Sequence, residues 1–333
     1  MKFPPLRRIL RMLGAFSAVL AAGLHAPGAS AQAVDFPLKP ITIVVPFPPG
    51  GVTDQLARGI GQKMAESMKV PVIVDNRPGA GSQIAANVVK QAPADGYTVL
   101  IGDIGAFALN PSLYPKLSYD PLKDFTPLAR LVLAPSLLVV PANSPLTSFA
   151  ELVNAAKSRP VSLNMASQST GSGGHLFAEM LRNQTQAKIN HVPYRGSAPA
   201  LTDLIGGQVD AFFDPTITSG PFVKEGKLKA LAIGAAQRSP QFPQVPTLTE
   251  LGYERLNLVA WFGLVVKTGT PAPAIKRLSD EVIKALRTPD LAKRFADQGM
   301  EIAPQAAPEF RAFVEAETAR WGRVIKDAGI VLE

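Results

Sequence analysis

The chain contains no cysteine, so disulfide bonds, thiol nucleophiles and thiolate metal ligands are all excluded. Other residue types that commonly carry chemistry are scarce, with 3 histidines, 2 tryptophans and only 7% aromatic residues in 333. Charged residues make up 18%, and no dense run of lysine or arginine occurs. This composition argues against nucleic-acid binding. Stability must come from the packed core that a chain of this length can form.

The motifs of common enzyme classes are incomplete. The loop Pro46–Gly51 lacks the lysine of a phosphate-binding loop, and Gly79-Ala80-Gly81 is not followed by the third glycine of a dinucleotide fingerprint. The segment Thr170–Gly174 misses the Gly-x-Ser-x-Gly pattern by one position. Histidine and carboxylate spacing predicts no metal site. We therefore predict a protein that is not an enzyme and that carries no cofactor and no metal.

Residues 1–33 have the pattern of a signal peptide. Four basic residues precede the apolar segment Met12 to Leu24, and Ala29–Ala33 contains two overlapping Ala-x-Ala sites. The alternative is a membrane anchor, but the apolar segment is short for a span of about 20 residues. We predict cleavage near Ala31 or Ala33 and a periplasmic location. Cleavage would leave 30 basic and 26 acidic residues, a mild excess that favours weak attraction of anions.

The segment Pro46–Gly51 lies between a short β-branched run, Ile41–Val45, and a helical pattern in which apolar residues recur every fourth position from Leu56 to Met68. It therefore predicts a loop that opens a helix. Two glycines allow close approach of a ligand, and Thr53 or Asp54 is expected to cap the first turn. The free N–H groups of that turn favour an anion.

The same strand, glycine loop and helix pattern recurs along the chain and predicts an α/β fold. The run Val72–Val74 leads into Asn76–Ser82, and Val161–Met165 leads into the loop Ser167–His175. Two longer apolar runs, at 128–140 and 256–266, are interpreted as crossings between two lobes. Lobe 1 would comprise residues 34–131 and 256–333, and lobe 2 residues 132–255. A hinged cleft between such lobes suits a small ligand.

Several strings, in this order and spacing, resemble the Bug family, the extracytoplasmic solute receptors of tripartite tricarboxylate transporters. They include Pro46–Gly51 followed by Asp54, Asn76–Gly81, Asp95–Thr98, Val192–Gly196 and Gly206–Asp210. The resemblance covers the chain beyond the signal peptide. It implies a two-lobed periplasmic-binding-protein fold, type II-like, with lobes joined by two crossing strands. It also implies a ligand that bears a carboxylate and delivery of that ligand to a membrane permease.

The family's ligand loops correspond to Phe47–Asp54 and Thr170–His175, and one ligand carboxylate is expected at the backbone N–H groups near Gly50 and Gly51. The predicted ligand-binding residues are Phe47, Pro49, Gly50, Gly51, Thr53, Asp54, Asp103, Ser167, Thr170, Gly171, Ser172, Gly173, His175, Tyr194 and Asp214.

Some of these assignments have structural alternatives. His175 is either a ligand contact or a residue that caps or packs its helix. Asp214, and with less support Asp103, either accepts a hydrogen bond from the ligand or a bridging water, or is an acid in a turn. Tyr194 and Arg195 either line the second lobe or, for Arg195, stay solvated.

We expect a monomer whose partners are a small carboxylate and the permease subunits. A receptor that reports ligand to a signalling partner is the alternative, because the same cleft would serve it equally well. A periplasmic enzyme is the other alternative, and the sparse inventory of histidine and cysteine argues against it.

Overall fold

The computed structural model describes residues 36–158, 160–327 and 329–331. The predicted signal peptide lies outside these residues. No helix in the described part of the chain is long and apolar enough to cross a membrane.

The strands fall into two sheets. In chain order they are β1 (Ile41–Val45), β2 (Val72–Asn76), β3 (Thr98–Asp103), β4 (Phe125–Ala134), β5 (Ser136–Pro141), β6 (Leu163–Ser167), β7 (Ile189–Pro193), β8 (Ala211–Pro215), β9 (Leu228–Gly234), β10 (Ala260–Lys267) and β11 (Glu301–Ala306).

Helices connect most of these strands. They are α1 (Val52–Met68), α2 (Gln83–Gln91), α3 (Asn110–Leu113), α4 (Phe149–Ser158), α5 (Gly173–Thr185), α6 (Ser197–Ile205), α7 (Thr216–Lys224), α8 (Ala272–Leu286), α9 (Pro289–Asp297) and α10 (Ala307–Asp327). A π-helical turn, Gly105–Leu109, precedes α3, and short 3-10 turns occur at Ala80–Ser82 and Glu254–Leu256.

The first sheet has six strands in the order β11-β4-β10-β3-β1-β2. β1 is parallel to both β2 and β3, with Ile43 opposite Val74 and Val99, whereas β10 is antiparallel to β3 and β4. Since parallel strands end at the same edge, the loops after β1, β2 and β3 lie side by side. The predicted Pro46–Gly51 loop belongs to this edge.

The second sheet has five strands in the order β7-β6-β8-β5-β9. β6 is parallel to β7 and β8, so the loops after these strands again share one edge. Behind it, Phe177 of α5 stacks on Phe213 of β8 with ring centroids 3.8 Å apart. The two sheets and the helices that cover them match the two-lobed α/β fold predicted from the sequence.

The chain passes from the first sheet to the second at Pro135, between β4 and β5. The sequence pattern predicted one continuous run over 128–140, but the run divides there into strands of different sheets. Pro135 has no N–H to continue a ladder, and its carbonyl accepts a hydrogen bond from Thr216 N at 2.9 Å. The return passage lies between β9 and β10.

The helical pattern predicted for α1 is confirmed, since Leu56, Ile60 and Met64 are buried. The sequence analysis did not predict β11, the strand between α9 and α10. β11 is an edge strand that pairs only with β4 among the described strands, and it lacks a strong alternating pattern because Pro304 and Gln305 interrupt it.

Candidate ligand-binding cleft

A cavity of about 270 Å³ lies where the carboxyl edges of the two sheets face each other. From the first sheet it is lined by the loop after β1 and by the end of β3, and from the second by the loops after β6, β7 and β8. Its polar lining residues are Thr53, Asp103, Ser136, Gln168, Arg195 and Ser197. Most of the remaining surface is apolar, including Phe47, Val52, Ile104, Leu258 and Phe262.

The N-terminus of α1 forms the first wall. Gly51 is the N-cap residue, in an extended conformation with no side-chain cap, and Gly50 has φ +93°. The N–H groups of Val52 and Thr53 have no hydrogen-bond acceptor within the described part of the chain. They are free to bind an anion, as helix N-termini commonly do.

Asp54 stabilises this loop from the side that faces away from the cavity. Its carboxylate accepts hydrogen bonds at 3.0 Å from Gly50 N, Arg58 Nε and Asn76 Nδ2, and it is 3% exposed. Asn76 Nδ2 also donates to the Phe47 carbonyl at 2.9 Å. Burial alone would raise the pKa of Asp54, but the hydrogen bonds from Arg58, Gly50 and Asn76 together lower it. The Gly50 N–H is therefore already occupied, and Asp54 supports the wall without lining it.

Thr53 lines the cavity, and its hydroxyl is buried with no hydrogen-bond partner. The residue is 1% exposed. A buried hydroxyl without a partner costs about 1–3 kcal/mol, so a guest with a hydrogen-bonding group would recover free energy there.

The N-termini of α5 and α6 form the opposite wall. Ser172 caps α5 by accepting from His175 N at 3.4 Å, while Gly173 and Gly174 line the cavity. Their N–H groups have no acceptor within the residues described. α6 begins after Gly196, whose φ is +106°, and its first residue, Ser197, also lines the cavity.

His175 lies behind this wall and is not among the lining residues. Its ring stacks on His191 with centroids 3.8 Å apart, and its Nδ1 accepts from Gly171 N at 3.2 Å. His191 Nε2 lies 2.6 Å from Ser167 Oγ. Burial, with smaller contributions from His191 and Arg182, lowers the pKa of His175 to about 3. Burial and then Arg182 lower that of His191 to about 4, so both rings are neutral at pH 7.

Asp214 is fully buried beneath the cavity wall. Its carboxylate accepts from Ser197 Oγ at 2.5 Å, from Gln168 Nε2 at 3.1 Å and from Thr218 Oγ1. Burial raises its pKa to about 6 although these hydrogen bonds act in the opposite direction. Asp214 therefore positions Ser197 and Gln168, which do line the cavity, and Gln168 Oε1 is left buried without a partner.

Asp103 ends β3 and lines the cavity. Its Oδ1 accepts from Ala106 N at 3.0 Å, within the π-helical turn that follows. Burial raises its pKa, and backbone hydrogen bonds from Ala106, Asp103 and Gly105 oppose that effect. The turn itself was not predicted from the sequence.

A second, outer cavity of about 580 Å³ adjoins the first and shares Phe47, Pro48, Gln168 and Arg195 with it. It lies between the loop after β2 and the loops after β6 and β7. Within the first of these loops, Gly79 to Ser82 all have positive φ, including the non-glycine residues Ala80 (+48°) and Ser82 (+76°).

The loops of the two sheets touch across the cleft. A Cβ at Gly171 would lie 2.7 Å from Asn110 Oδ1, one at Gly81 would lie 3.2 Å from the Thr170 carbonyl, and one at Gly196 would lie 3.5 Å from Pro48. Glycine at 171 also accommodates a φ of +80°. The loops of the two sheets therefore come close together at these three places along the cleft.

The predicted site residues divide into three groups by position. Phe47, Pro49, Gly51, Thr53, Asp103 and Gly173 line the inner cavity, and Thr170 and Tyr194 line the outer one. Gly50, Asp54, Ser167, Gly171, Ser172, His175 and Asp214 line neither. Sequence reasoning missed Ser136, Gln168, Ser197, Leu258 and Phe262. Two of them had a signal in the sequence: Gln168 lies in the predicted loop Ser167–His175, and Ser197 follows Gly196.

Comparison with known proteins identifies the family. The family model described as "Tripartite tricarboxylate transporter family receptor" matches residues 56–330. The chain belongs to this family. It is 36% identical to Protein BugT of Bordetella pertussis over 327 residues, which cover 98% of this chain and 99% of BugT. The resemblance to Bug receptors seen in the sequence is thereby confirmed.

Two solved structures of similar proteins were determined with small acids. Rpa4515 of Rhodopseudomonas palustris, solved with adipate, is 37% identical with a TM-score of 0.85, covering 90% of this chain and 100% of that one. MatC (Rpa3494) of the same organism, with bound malate, is 36% identical with a TM-score of 0.84, covering 87% and 100%. The receptor family and its two-lobed fold are established for this chain by these matches. In the described part of this receptor, no cluster of three histidine, aspartate or glutamate side chains could hold a metal ion.

Proposed function

We propose that the mature receptor binds a small carboxylate in the inner cavity and delivers it to the membrane subunits of a tripartite tricarboxylate-type transporter. Membership of the receptor family supports the transport role. The proposal includes a periplasmic location after cleavage near Ala31 or Ala33, a monomeric state, and no catalytic activity. It also includes two lobes, which the sequence analysis bounded at 34–131 with 256–333 and at 132–255; we move the first boundary to Pro135, because β4 continues in the first sheet to Ala134.

The main observation behind this proposal is that the N-termini of α1, α5 and α6 meet at one small cavity. Backbone N–H groups there have no acceptor among the described residues. A hydrogen bond to a charged group contributes about 1.5–3 kcal/mol. A few such bonds would approach the ~8 kcal/mol that micromolar affinity requires, after the losses of ordering. The unpartnered Thr53 hydroxyl adds a donor.

The apolar part of the lining supports a short hydrocarbon skeleton between polar groups. Phe47 comes from the loop after β1, whereas Leu258 lies just before β10 and Phe262 near its start, and together they give the cavity largely apolar walls. Adipate and malate, present in the two solved relatives, have this combination of carboxylates and a short carbon chain. We therefore propose a dicarboxylate of similar size.

The proposed contacts are the predicted residues that line the cavity, together with Ser136, Gln168 and Ser197. The roles proposed for Asp54, His175 and Asp214 are to hold the walls in place. A ligand that touches both walls binds the closed state more tightly than the open one, so binding would stabilise closure.

Calorimetry with adipate and malate tests the proposal, preceded by a thermal-shift screen of other carboxylic acids. Thr53→Val keeps the side-chain shape and removes the unpartnered hydroxyl, so we expect affinity to fall by about three- to tenfold with the melting temperature unchanged or raised.

The matched control is Thr202→Val, which removes an exposed hydroxyl that donates to Ala198 on the outer side of α6. It should bind as the wild type does. No response to any carboxylic acid would contradict the proposed function, and equal affinity of Thr53→Val and wild type would remove Thr53 from the site. Formation of an altered product from a bound acid would show an enzyme instead.

A further inference from the structure

Arg195 stands at the junction of the inner and outer cavities and lines both. It is the one basic residue among the described residues that line either of them. The residue is exposed, whereas Gly196 and Ser197, which follow it in the chain, are buried.

The backbone around Arg195 is held firmly. Tyr194 N donates to the Ser167 carbonyl at 3.0 Å, and Gly196 N donates to the Gln168 carbonyl at 2.7 Å. The Tyr194 hydroxyl donates to Asp203 at 2.8 Å. The base of the Arg195 side chain is therefore fixed at the cleft even though its end is exposed.

The guanidinium has no ion pair and no hydrogen bond to any other described residue. Arg58 and Arg77 differ in this respect, because Arg58 pairs with Asp54 and Arg77 pairs with Asp75. An arginine fixed at its base beside a ligand cavity, with its donors free, is arranged to meet a carboxylate with two parallel hydrogen bonds.

We propose that Arg195 is a specificity-determining residue that selects acids with a second carboxylate. This inference rests on the proposed function. One carboxylate occupies the helix N-termini of the inner cavity, and the second reaches the junction, where Arg195 binds it. Neutral groups at that end of the ligand gain no charge-assisted bond and bind more weakly.

The test compares adipate with its monoamide, which has the same length but one charge fewer. Isothermal calorimetry should show that the wild type prefers adipate by roughly tenfold, the size expected of a charge-assisted pair that is partly exposed. In Arg195→Gln this preference should shrink to about twofold, mainly because adipate binding weakens. The wild-type preference should also fall between about 20 mM and 500 mM NaCl, whereas that of Arg195→Gln should change little.

Arg323→Gln is the matched control, because it removes the same charge from an exposed arginine of α10 that lines neither cavity. It should keep the wild-type preference. Equal loss of affinity for adipate and the monoamide in Arg195→Gln, or no loss for either, would overturn the inference. Equal affinity of the wild type for adipate and its monoamide would also overturn the inference, but it would not contradict the proposed function. Failure of the wild type to bind any carboxylic acid would contradict the proposed function itself.

Discussion

The first glycine loop, Pro46–Gly51, and the second glycine loop, Gln168–Ser172, have the same local design but different supports. Each follows a buried parallel strand and opens a helix whose N-terminus lines the inner cavity. Behind the first loop is a charged cluster, in which Asp54 binds Arg58 and Asn76. Behind the second are the Ser172 hydroxyl, the stacked neutral rings of His175 and His191, and the buried carboxyl of Asp214, which accepts from Gln168.

Within the described part of the chain the second loop has no basic side chain bonded to it, so the anion binding that we propose for both loops does not depend on a positive charge directly behind the loop. Asp54 is compatible with a nearby anion because Arg58 balances its charge and its lone pairs are bound to donors. In the second loop, neutral His175 accepts the Gly171 N–H, and the buried Asp214, whose pKa is raised to about 6, accepts from Gln168. In both loops the free backbone N–H groups lie at the cavity, and we propose that these groups meet the ligand.

The largest effect is expected from placing a methyl group in each loop. Gly171→Ala should destabilise the protein by about 2–4 kcal/mol and weaken adipate binding at least tenfold, because its φ is +80° and the new Cβ would lie 2.7 Å from Asn110 Oδ1. Gly50→Ala, with φ +93° but no atom within 4 Å, should cost only about 1–2 kcal/mol. Urea unfolding and calorimetry measure both.

The two alanine variants control for each other, since both lose glycine at a positive φ. Similar losses of affinity in the two would show that contact across the cleft at Gly171 is unimportant. A Gly171→Ala protein that closes and binds as the wild type does would contradict the described packing.

A smaller effect is expected from removing the charge behind the first loop. Asp54→Asn should lower the free energy of unfolding by about 2 kcal/mol at pH 7, because Arg58 and Gly50 lose a charged acceptor. Folding lowers the pKa of Asp54 below 3.8, the value in the unfolded chain. The extra stability of the wild type is therefore fully present above pH 3.8 and is lost as the pH falls through the pKa of the folded protein.

Unfolding measured at several pH values between 7 and 3 checks this prediction. The free energies of unfolding of the wild type and Asp54→Asn should differ at neutral pH, and the difference should begin to shrink as the pH falls below 3.8. A constant difference over the whole range would mean that the ionised carboxylate is not what stabilises the loop.

The smallest effect is expected from the two stacked histidines, His175 and His191, behind the second loop. The folded pKa values of His175 and His191, about 3 and 4, lie below the ordinary 6.5. Between pH 6.5 and about 4 the unfolded chain therefore takes up protons that the folded chain does not. The free energy of unfolding then decreases as the pH falls. For His175 the decrease is about 1–2 kcal/mol at pH 5.

Total stability does not isolate this contribution, because Asp214 has a raised pKa of about 6 and its contribution to stability is lost as the pH rises through that value. NMR of the imidazole rings measures the histidines directly. Both rings should remain neutral at pH 5. A ring that titrates near 6.5 would contradict the buried, stacked arrangement.

Sequence reasoning succeeded where a local pattern has one structural outcome. The β-branched run before Pro46 and the four-residue spacing from Leu56 to Met68 predicted β1, the loop and α1. It was weaker for β11, whose polar and proline-containing sequence carries little periodic signal. The break at Pro135 was also missed, because apolar composition is the same in two short strands as in one long strand.

By itself the sequence determined the α/β pattern, the glycine loops and the receptor family, because periodicity, loop chemistry and family motifs are properties of neighbouring residues. Only the tertiary structure decided which side chains face the cavity. In the folded chain the side chains of Asp54, His175 and Asp214 bind and support the loops. Ser136, Gln168, Ser197 and Phe262 come from distant segments and meet at the cavity. Strand register and helix docking set those directions, and both depend on packing between residues far apart in the chain.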